Sequence, residues 1–187
     1  MIKHVEEYGR FLGISGFRNI QVLDAKTLAD SIHKSVPAGV EVQLFDAALV
    51  ATWEHLYFAA VNALMAFRGG CNASKSLAVE SVLFASAQRQ IRRAIDLVGV
   101  KAGFGDVAVL VFGESNGDVE AALSATEKAI GTKPDESILE LTPQKIAGVK
   151  AAFDMSDAEL QATSAKTAEA ALVDAVVEHM ALLSTHV

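Results

Sequence analysis

The stretch Val107-Ala108-Val109-Leu110-Val111-Phe112 is continuously apolar and rich in β-branched residues. A strand with one face in water alternates apolar and polar residues, whereas a strand buried on both faces does not. The run therefore predicts a central strand that other elements cover on both sides.

On the N-terminal side of this run, single strands alternate with helices. Phe11 to Ser15 is a short candidate strand, and Thr27 to Lys34 predicts a short helix. Val40 to Phe45 alternates with period two, which is typical of a strand with one buried face. The apolar residues from Leu49 to Phe67 then follow helical spacing, and Gly69-Gly70 ends that helix because glycine tolerates a left-handed conformation.

The segment from Ser74 to Val98 predicts one long helix or two abutting helices. Within it Ile91, Ala94, Ile95 and Val98 recur at i, i+3, i+4 and i+7. This spacing places the four side chains on one side of a helix and predicts a buried stripe.

The last third of the chain is predicted to be helical. Asp118 to Ile130 returns to helical period, and Thr142 before Pro143 is typical of a helix start. Ser156 with Glu159 predicts a capping box, and a long terminal helix is expected to carry apolar residues from Leu160 to Leu183.

Strands that come singly between helices predict an α/β (α+β) fold. We expect residues 1–187 to form a single compact domain, with a small mixed sheet of about four strands flanked by helices and a helical C-terminal third.

Charge is distributed unevenly along the chain. The protein has 187 residues, 51% of them apolar, and a formal net charge of −7, which excludes a globally basic nucleic-acid-binding surface. The window from Arg68 to Lys101, however, carries six basic residues against Glu80 and Asp96, a net +4, and leaves −11 for the remainder.

Arg89, Arg92 and Arg93 are spaced i, i+3 and i+4, so we expect them to share one exposed helix face. Planar guanidinium groups bind phosphates in a bidentate manner, and such a face could bind a nucleic acid. The alternative is an ordinary solvated helix face, and the spacing does not decide between them.

Motifs for catalysis, cofactors or metals are not found. The histidines are scattered without ligand spacing, and there is no phosphate loop or nucleophile elbow. The sequence from Gly103 to Asp106 leads into a strand and predicts a turn. An enzymatic reading rests on Cys71 or Glu80, and neither has a recognisable partner. The histidines are His4, His33, His55, His179 and His186.

The protein is expected to be soluble and intracellular. The N-terminus lacks the apolar run of a signal peptide, and a charge and a histidine interrupt the apolar tract from Ala47 to Phe67, which argues against a membrane span. The lone Cys71 cannot form an internal disulfide.

A longer pattern in the basic window resembles a known family. Asn72-Ala73-Ser74-Lys75 is followed by Glu80, then by Arg89-Gln90-Ile91-Arg92-Arg93-Ala94-Ile95 and by Gly99-Val100 before the apolar strand. Val42-Gln43-Leu44-Phe45-Asp46-Ala47 lies upstream of these segments. The order of all these segments resembles the sequence pattern of the small regulatory subunit of the KEOPS complex, the PRPK-binding protein (TPRKB) family, in its archaeal type. The resemblance is best from Val40 to Phe112.

The resemblance implies a non-catalytic, cytoplasmic subunit of the complex that installs threonylcarbamoyl-adenosine in tRNA. Such subunits bind the N-terminal lobe of the kinase-like ATPase subunit and help recruit tRNA through its single-stranded 3′ CCA end. No cofactor, metal, membrane or small-molecule substrate is implied. The alternative is a regulatory subunit that binds the kinase without touching RNA. The residues expected to contact RNA are Arg68, Asn72, Lys75, Arg89, Arg92 and Arg93.

The kinase-binding surface is harder to place. The helix from Leu77 to Ala85 is apolar on nearly every side, and Leu83 and Phe84 are its largest candidates for a partner interface. Either neighbouring helices cover both sides of it, or one side docks on the kinase.

Overall fold

The computed structural model describes residues 1–163 and 165–185 of the chain. The described residues form a four-stranded sheet and eight α-helices. The strands are β1 (Ile2–Val5), β2 (Arg10–Val22), β3 (Glu41–Asp46) and β4 (Gly103–Gly113). The helices are α1 (Ala25–Ser35), α2 (Trp53–Gly69), α3 (Leu77–Ala85), α4 (Ile91–Val98), α5 (Asn116–Ile130), α6 (Pro143–Ala152), α7 (Asp157–Ala162) and α8 (Ala168–Thr185). Two short 3-10 helices that border sites discussed below are Ala47–Leu49 and Glu136–Leu139.

The sheet has the order β1-β2-β4-β3, so β4 lies in its interior. Leu110 pairs with Ile14 on one side and with Gln43 on the other. The expected sheet of four strands flanked by helices is confirmed, but all three strand pairings are antiparallel, so the sheet is not mixed.

The apolar run of β4 divides its side chains between two cores. Ala108, Leu110 and Phe112 join the larger core, which contains residues of α2, α3 and α8. Val107, Val109 and Val111 join a smaller core with residues of α1 and α5 on the opposite face. The continuous run is therefore explained by two-sided burial, as predicted, because successive strand residues point to opposite faces.

Two helices occupy the segment from Ser74 to Val98, and the break between them lies at Ala87. Ala87 has a left-handed φ of 50°, and the amide of Gln88 donates to the Leu83 carbonyl at 3.0 Å to close the end of α3. Helix α4 starts only at Ile91, so Arg89 lies outside it. The expectation that three arginines share one helix face is therefore wrong.

The predicted apolar stripe of α4 is only half buried. Ala94 and Val98 are fully buried, whereas Ile91 and Ile95 are 38% and 46% exposed. One side of α4 therefore packs on the rest of the protein, and the other side is exposed.

Other boundaries also differ from expectation. Strand β2 extends far beyond Ser15 and contains an irregularity between Phe17 and Ile20, and Gly103 to Asp106 belongs to β4 and is not a turn. Among the described residues, no helix is long and apolar enough to cross a membrane.

The C-terminal third is helical, as predicted, with α7 and α8 separate. Thr142 and Ser156 cap α6 and α7. Only the serine half of the capping box is seen, because Glu159 instead bonds the His179 ring at 2.6 Å. His186 lies outside the described residues.

Candidate nucleic-acid interface

The loop between α2 and α3 carries two of the predicted RNA-binding residues, and a buried carboxylate anchors it. Glu80 is 3% exposed, and its carboxylate accepts hydrogen bonds from the amides of Ala73, at 3.1 and 3.2 Å, and Ser74, at 2.7 Å. Burial of a carboxylate is costly unless hydrogen bonds compensate it. Glu80 therefore holds the loop backbone in one position.

A second carboxylate fixes the end of the same loop. Glu41 of β3 accepts hydrogen bonds from the Ser76 hydroxyl and from the Ala78 amide at 3.1 Å, while the Ser76 side chain caps the start of α3. The sheet and the helix thus share one polar anchor. Between the two anchors Lys75 is exposed, and Asn72 donates to the Ser74 carbonyl at 2.8 Å.

An open cavity of about 240 Å³ lies beside this loop. Its lining is mostly apolar, with a few polar groups, as is typical of ligand-binding sites. The volume is below the roughly 300–1,000 Å³ typical of drug-sized ligands, which suits a single base-sized group. The lining residues are Met65, Ala66, Cys71, Ala73, Glu80, Leu83, Phe84, Gln88, Arg89 and Leu183.

The predicted arginines do not all meet at this cavity. Arg89 lines it, whereas Arg92 and Arg93 are exposed in the first turn of α4, directly after the Arg89 segment. Arg68 turns to the 3-10 helix Glu6–Tyr8 between β1 and β2, where Nη1 pairs with Glu7 at 2.9 Å and the guanidinium lies 5.5 Å from the centre of the Tyr8 ring. Arg68 remains 62% exposed.

The start of α4 is electrostatically unusual. The N-terminus of a helix carries partial positive charge and normally attracts acidic residues. The first turn of α4 has no acidic residue and instead holds Arg92 and Arg93. Their charges add to that of the helix terminus, and a bound anion would relieve the repulsion.

Leu83 and Phe84 are buried, at 4% and 7% exposed. Helix α3 packs against α2, α4, α8 and the sheet, so neighbouring elements of the same chain account for its apolar composition. The two residues contribute to the lining of the cavity.

His55 is a buried polar residue whose structural role has no sequence signal. Its Nδ1 accepts a hydrogen bond from the Ala51 amide at 3.1 Å, and Nε2 lies 2.8 Å from the Ala85 carbonyl, which requires the neutral form protonated on Nε2. Burial lowers the pKa of His55 to about 4. The ring thereby joins the start of α2 to the end of α3.

The two residues on which an enzymatic reading rests, Glu80 and Cys71, both contact the backbone of the chain. The Glu80 carboxylate is committed to backbone amides, and Cys71 is exposed and contacts the Ala66 carbonyl at 3.6 Å. Residues 1–163 and 165–185 contain no group of three or more His, Cys, Asp or Glu side chains that could hold a metal ion.

Glu80→Gln is expected to lower the free energy of unfolding by about 1–3 kcal/mol, because an amide nitrogen would face a loop amide that now donates to a carboxylate oxygen. Urea denaturation measures the change. Glu120→Gln, at an exposed position of α5, is the matched control and should unfold near the wild-type midpoint. A Glu80→Gln midpoint equal to that of the control would show that the carboxylate does not hold the loop.

Comparison with known proteins identifies the family. No curated protein matches the chain. A family model described as kinase binding protein CGI-121 matches residues 17–184, which run from the second half of β2 to the residue before the last one of α8. The chain therefore belongs to the CGI-121 family of kinase binding proteins.

Proposed function

We propose that this protein is a non-catalytic, cytoplasmic subunit of the KEOPS tRNA-modification complex. In this role it binds the N-terminal lobe of the kinase-like ATPase subunit and recruits tRNA through the 3′ CCA end. Membership of a kinase-binding family supports the first activity. The second rests on the residues around the α2–α3 loop and the start of α4.

The observation that carries the RNA proposal is the first turn of α4. Arg92 and Arg93 are exposed there without an acidic neighbour in that turn. Arg89, which precedes them in the chain, lines the cavity. A phosphate backbone that follows these three residues would meet cations and a helix N-terminus in succession.

The cavity supplies what a base requires. Single-stranded RNA is bound by cations that contact phosphates and by apolar or aromatic surfaces on which bases stack. Phe84 and Met65 both line the cavity, and Met65 is 44% exposed. We assign the terminal base to this cavity and the preceding phosphates to the arginines, with Asn72 and Lys75 on the loop beside them.

Intact tRNA is expected to bind more tightly than tRNA that lacks its 3′ CCA, because the shortened molecule leaves the cavity empty. A gel shift with both RNAs measures this difference. About three phosphate contacts predict that log affinity falls with log salt at a slope of roughly −2 for a single strand. Equal affinity for the two RNAs would contradict recognition of the end.

A second candidate function is a regulatory subunit that binds the kinase without contacting RNA. It is favoured by Ile91 and Ile95, which are exposed one helical turn apart on α4, next to the arginines. Exposed apolar residues beside arginine are typical of protein interfaces. This function predicts co-purification with the kinase-like subunit and no shift of tRNA at any salt concentration.

A further inference from the structure

A larger open cavity, of about 650 Å³, lies on a different part of the molecule. It is formed by the start of β4, the 3-10 helices Ala47–Leu49 and Glu136–Leu139, and the first turn of α6. Its volume lies within the range of sites for small organic ligands.

Lys145 of α6 is the unusual residue of this cavity. It lines the cavity but is only 8% exposed, and its Nζ donates to the Ile138 carbonyl at 2.7 Å and to the Glu140 carbonyl at 3.5 Å. Within the described part of the chain, no carboxylate lies within 4.0 Å of this Nζ. A buried cation is normally paired with an anion, but Asp106 attracts the Lys145 ammonium only from beyond ion-pair distance.

The charge state of Lys145 is compatible with anion binding. Burial lowers the pKa of its amine to about 8, so most molecules carry the ammonium form at neutral pH. An ammonium group has three donors, and the two carbonyls use two of them. One donor is left for a ligand.

The start of α6 adds to the positive potential. Thr142 caps the helix, and Lys145 lies in its first turn, where a cation is unfavourable and an anion favourable. The lining holds three acidic residues, Asp46, Asp106 and Glu140, and three basic ones, Arg18, Lys101 and Lys145. Two of the acidic residues are already engaged: Asp106 accepts from the Asn19 amide at 2.7 Å and pairs with Arg18 at 3.8 Å, and Asp46 accepts from the Ala48 amide at 3.1 Å.

One wall of the cavity is aromatic. Phe104 lines it and is 70% exposed, which is unusual for a phenylalanine in the absence of a partner. A planar ring stacks favourably on such a surface. The cavity therefore combines a site for a negative charge with a surface for a ring.

We propose that this cavity binds a small organic anion with a planar ring, of the nucleoside monophosphate class. Its charged group lies against the Nζ of Lys145 and the N-terminus of α6, and its ring lies on Phe104. The site is separate from the proposed RNA surface, since the two cavities share no lining residue.

Titration calorimetry with AMP tests the proposal on the full chain. We expect saturable binding, weakened about tenfold or more by Lys145→Met, because a charge-assisted hydrogen bond is lost. Phe104→Ala, at an exposed position where the fold does not depend on the ring, is expected to weaken binding about fivefold or more. Lys128→Met, an exposed change on α5, is the matched control and should bind AMP as the wild type does.

Competition and tRNA binding complete the test. Inorganic phosphate should displace AMP, and Lys145→Met should bind tRNA as the wild type does. Absence of saturable AMP binding at millimolar concentration, or wild-type affinity in both Lys145→Met and Phe104→Ala, would overturn the proposal. A parallel loss of tRNA and AMP affinity in Lys145→Met would overturn the separation of this site from the RNA surface.

Discussion

Reversal of Arg89, Arg92 and Arg93 to glutamate is expected to weaken tRNA binding by about two orders of magnitude or more. On the proposed function, each change would remove a phosphate contact and place a negative charge where the backbone of the RNA would lie. The measurement is fluorescence anisotropy with labelled tRNA at fixed salt concentration. The salt slope of any residual binding should be shallower than that of the wild type.

The loss should not result from unfolding. Glutamate in the first turn of α4 interacts favourably with the helix terminus, by about 0.3–1 kcal/mol per residue, so the changes at Arg92 and Arg93 should preserve or stabilise the helix. Arg89 is itself engaged within the chain, and the variant with only Arg92 and Arg93 reversed therefore serves as a second test. That variant is also expected to bind tRNA much more weakly than the wild type.

A charge-matched control separates a local effect from net charge. Lys26→Glu, Lys34→Glu and Lys128→Glu change three exposed residues on α1 and α5, outside the basic window, by the same total charge. This control should retain most tRNA affinity. If both triple variants bind tRNA equally, the arginines have no special role. If the arginine variant no longer binds the kinase-like subunit and the wild type does not bind tRNA, the function as a regulatory subunit without RNA contact is favoured.

Acidification is expected to remove about 3 kcal/mol of folding stability through His55 alone. The pKa of its ring is lowered from 6.5 to about 4, chiefly by burial, with the charge of Lys145 acting in the same direction and the Ala85 carbonyl opposing it. The folded state therefore binds this proton less readily than the unfolded state. The contribution is fully present above pH 6.5 and is lost as the pH falls towards 4.

The structural reason is the donor arrangement around the ring. Protonation adds an N–H at Nδ1, which faces the Ala51 amide and loses the hydrogen bond from it. Opening of the contact would separate the start of α2 from the end of α3, whereas the loop that carries Asn72 and Lys75 joins the other ends of these two helices. Urea unfolding at pH 7, 5.5 and 4 measures the dependence.

Two variants isolate the role of His55. His55→Leu should be less stable than the wild type at pH 7, because the Ala51 amide and the Ala85 carbonyl lose their partner, and it should show a smaller fall in stability between pH 6.5 and 4. His4→Gln, at an exposed histidine, should keep the full wild-type pH dependence. A His55→Leu profile parallel to that of the wild type would refute the assignment.

The sequence alone was sufficient to predict those elements in which the buried residues recur at a regular period. The run from Val107 to Phe112 predicted an interior strand because both of its faces lie in cores. The helix caps at Thr142 and Ser156 could likewise be predicted from the sequence, since a helix start requires particular residue types within a few positions.

The break between α3 and α4 could not be predicted in the same way. It depends on a left-handed Ala87, a residue that favours helices, where glycine would have given a signal. Tertiary packing imposes the break, because α3 and α4 each contact the rest of the fold. This single residue places Arg89 beside the cavity and off the helix face.

The buried charged residues show the same limit. In the sequence, Glu80 cannot be distinguished from a solvated glutamate, and Lys145 cannot be distinguished from a solvated lysine. Only their burial in the structure shows that they have a special role. The family pattern covers the loop and the arginines but contains no measure of burial. A candidate site could therefore be proposed from the sequence, while the groups that anchor its loop could not.

The sequence by itself determined the fold class, the interior strand, the helical C-terminal third and the position of the basic window, because each depends on composition or on a local period. Only the tertiary structure decided the antiparallel direction of every strand pair, the burial of His55, Glu80 and Lys145, and the two cavities. The physical reason is that burial and cavities arise where distant segments meet. Residues such as Glu41 and Ser76 are 35 positions apart in the chain and become partners only after the sheet and the helices have packed.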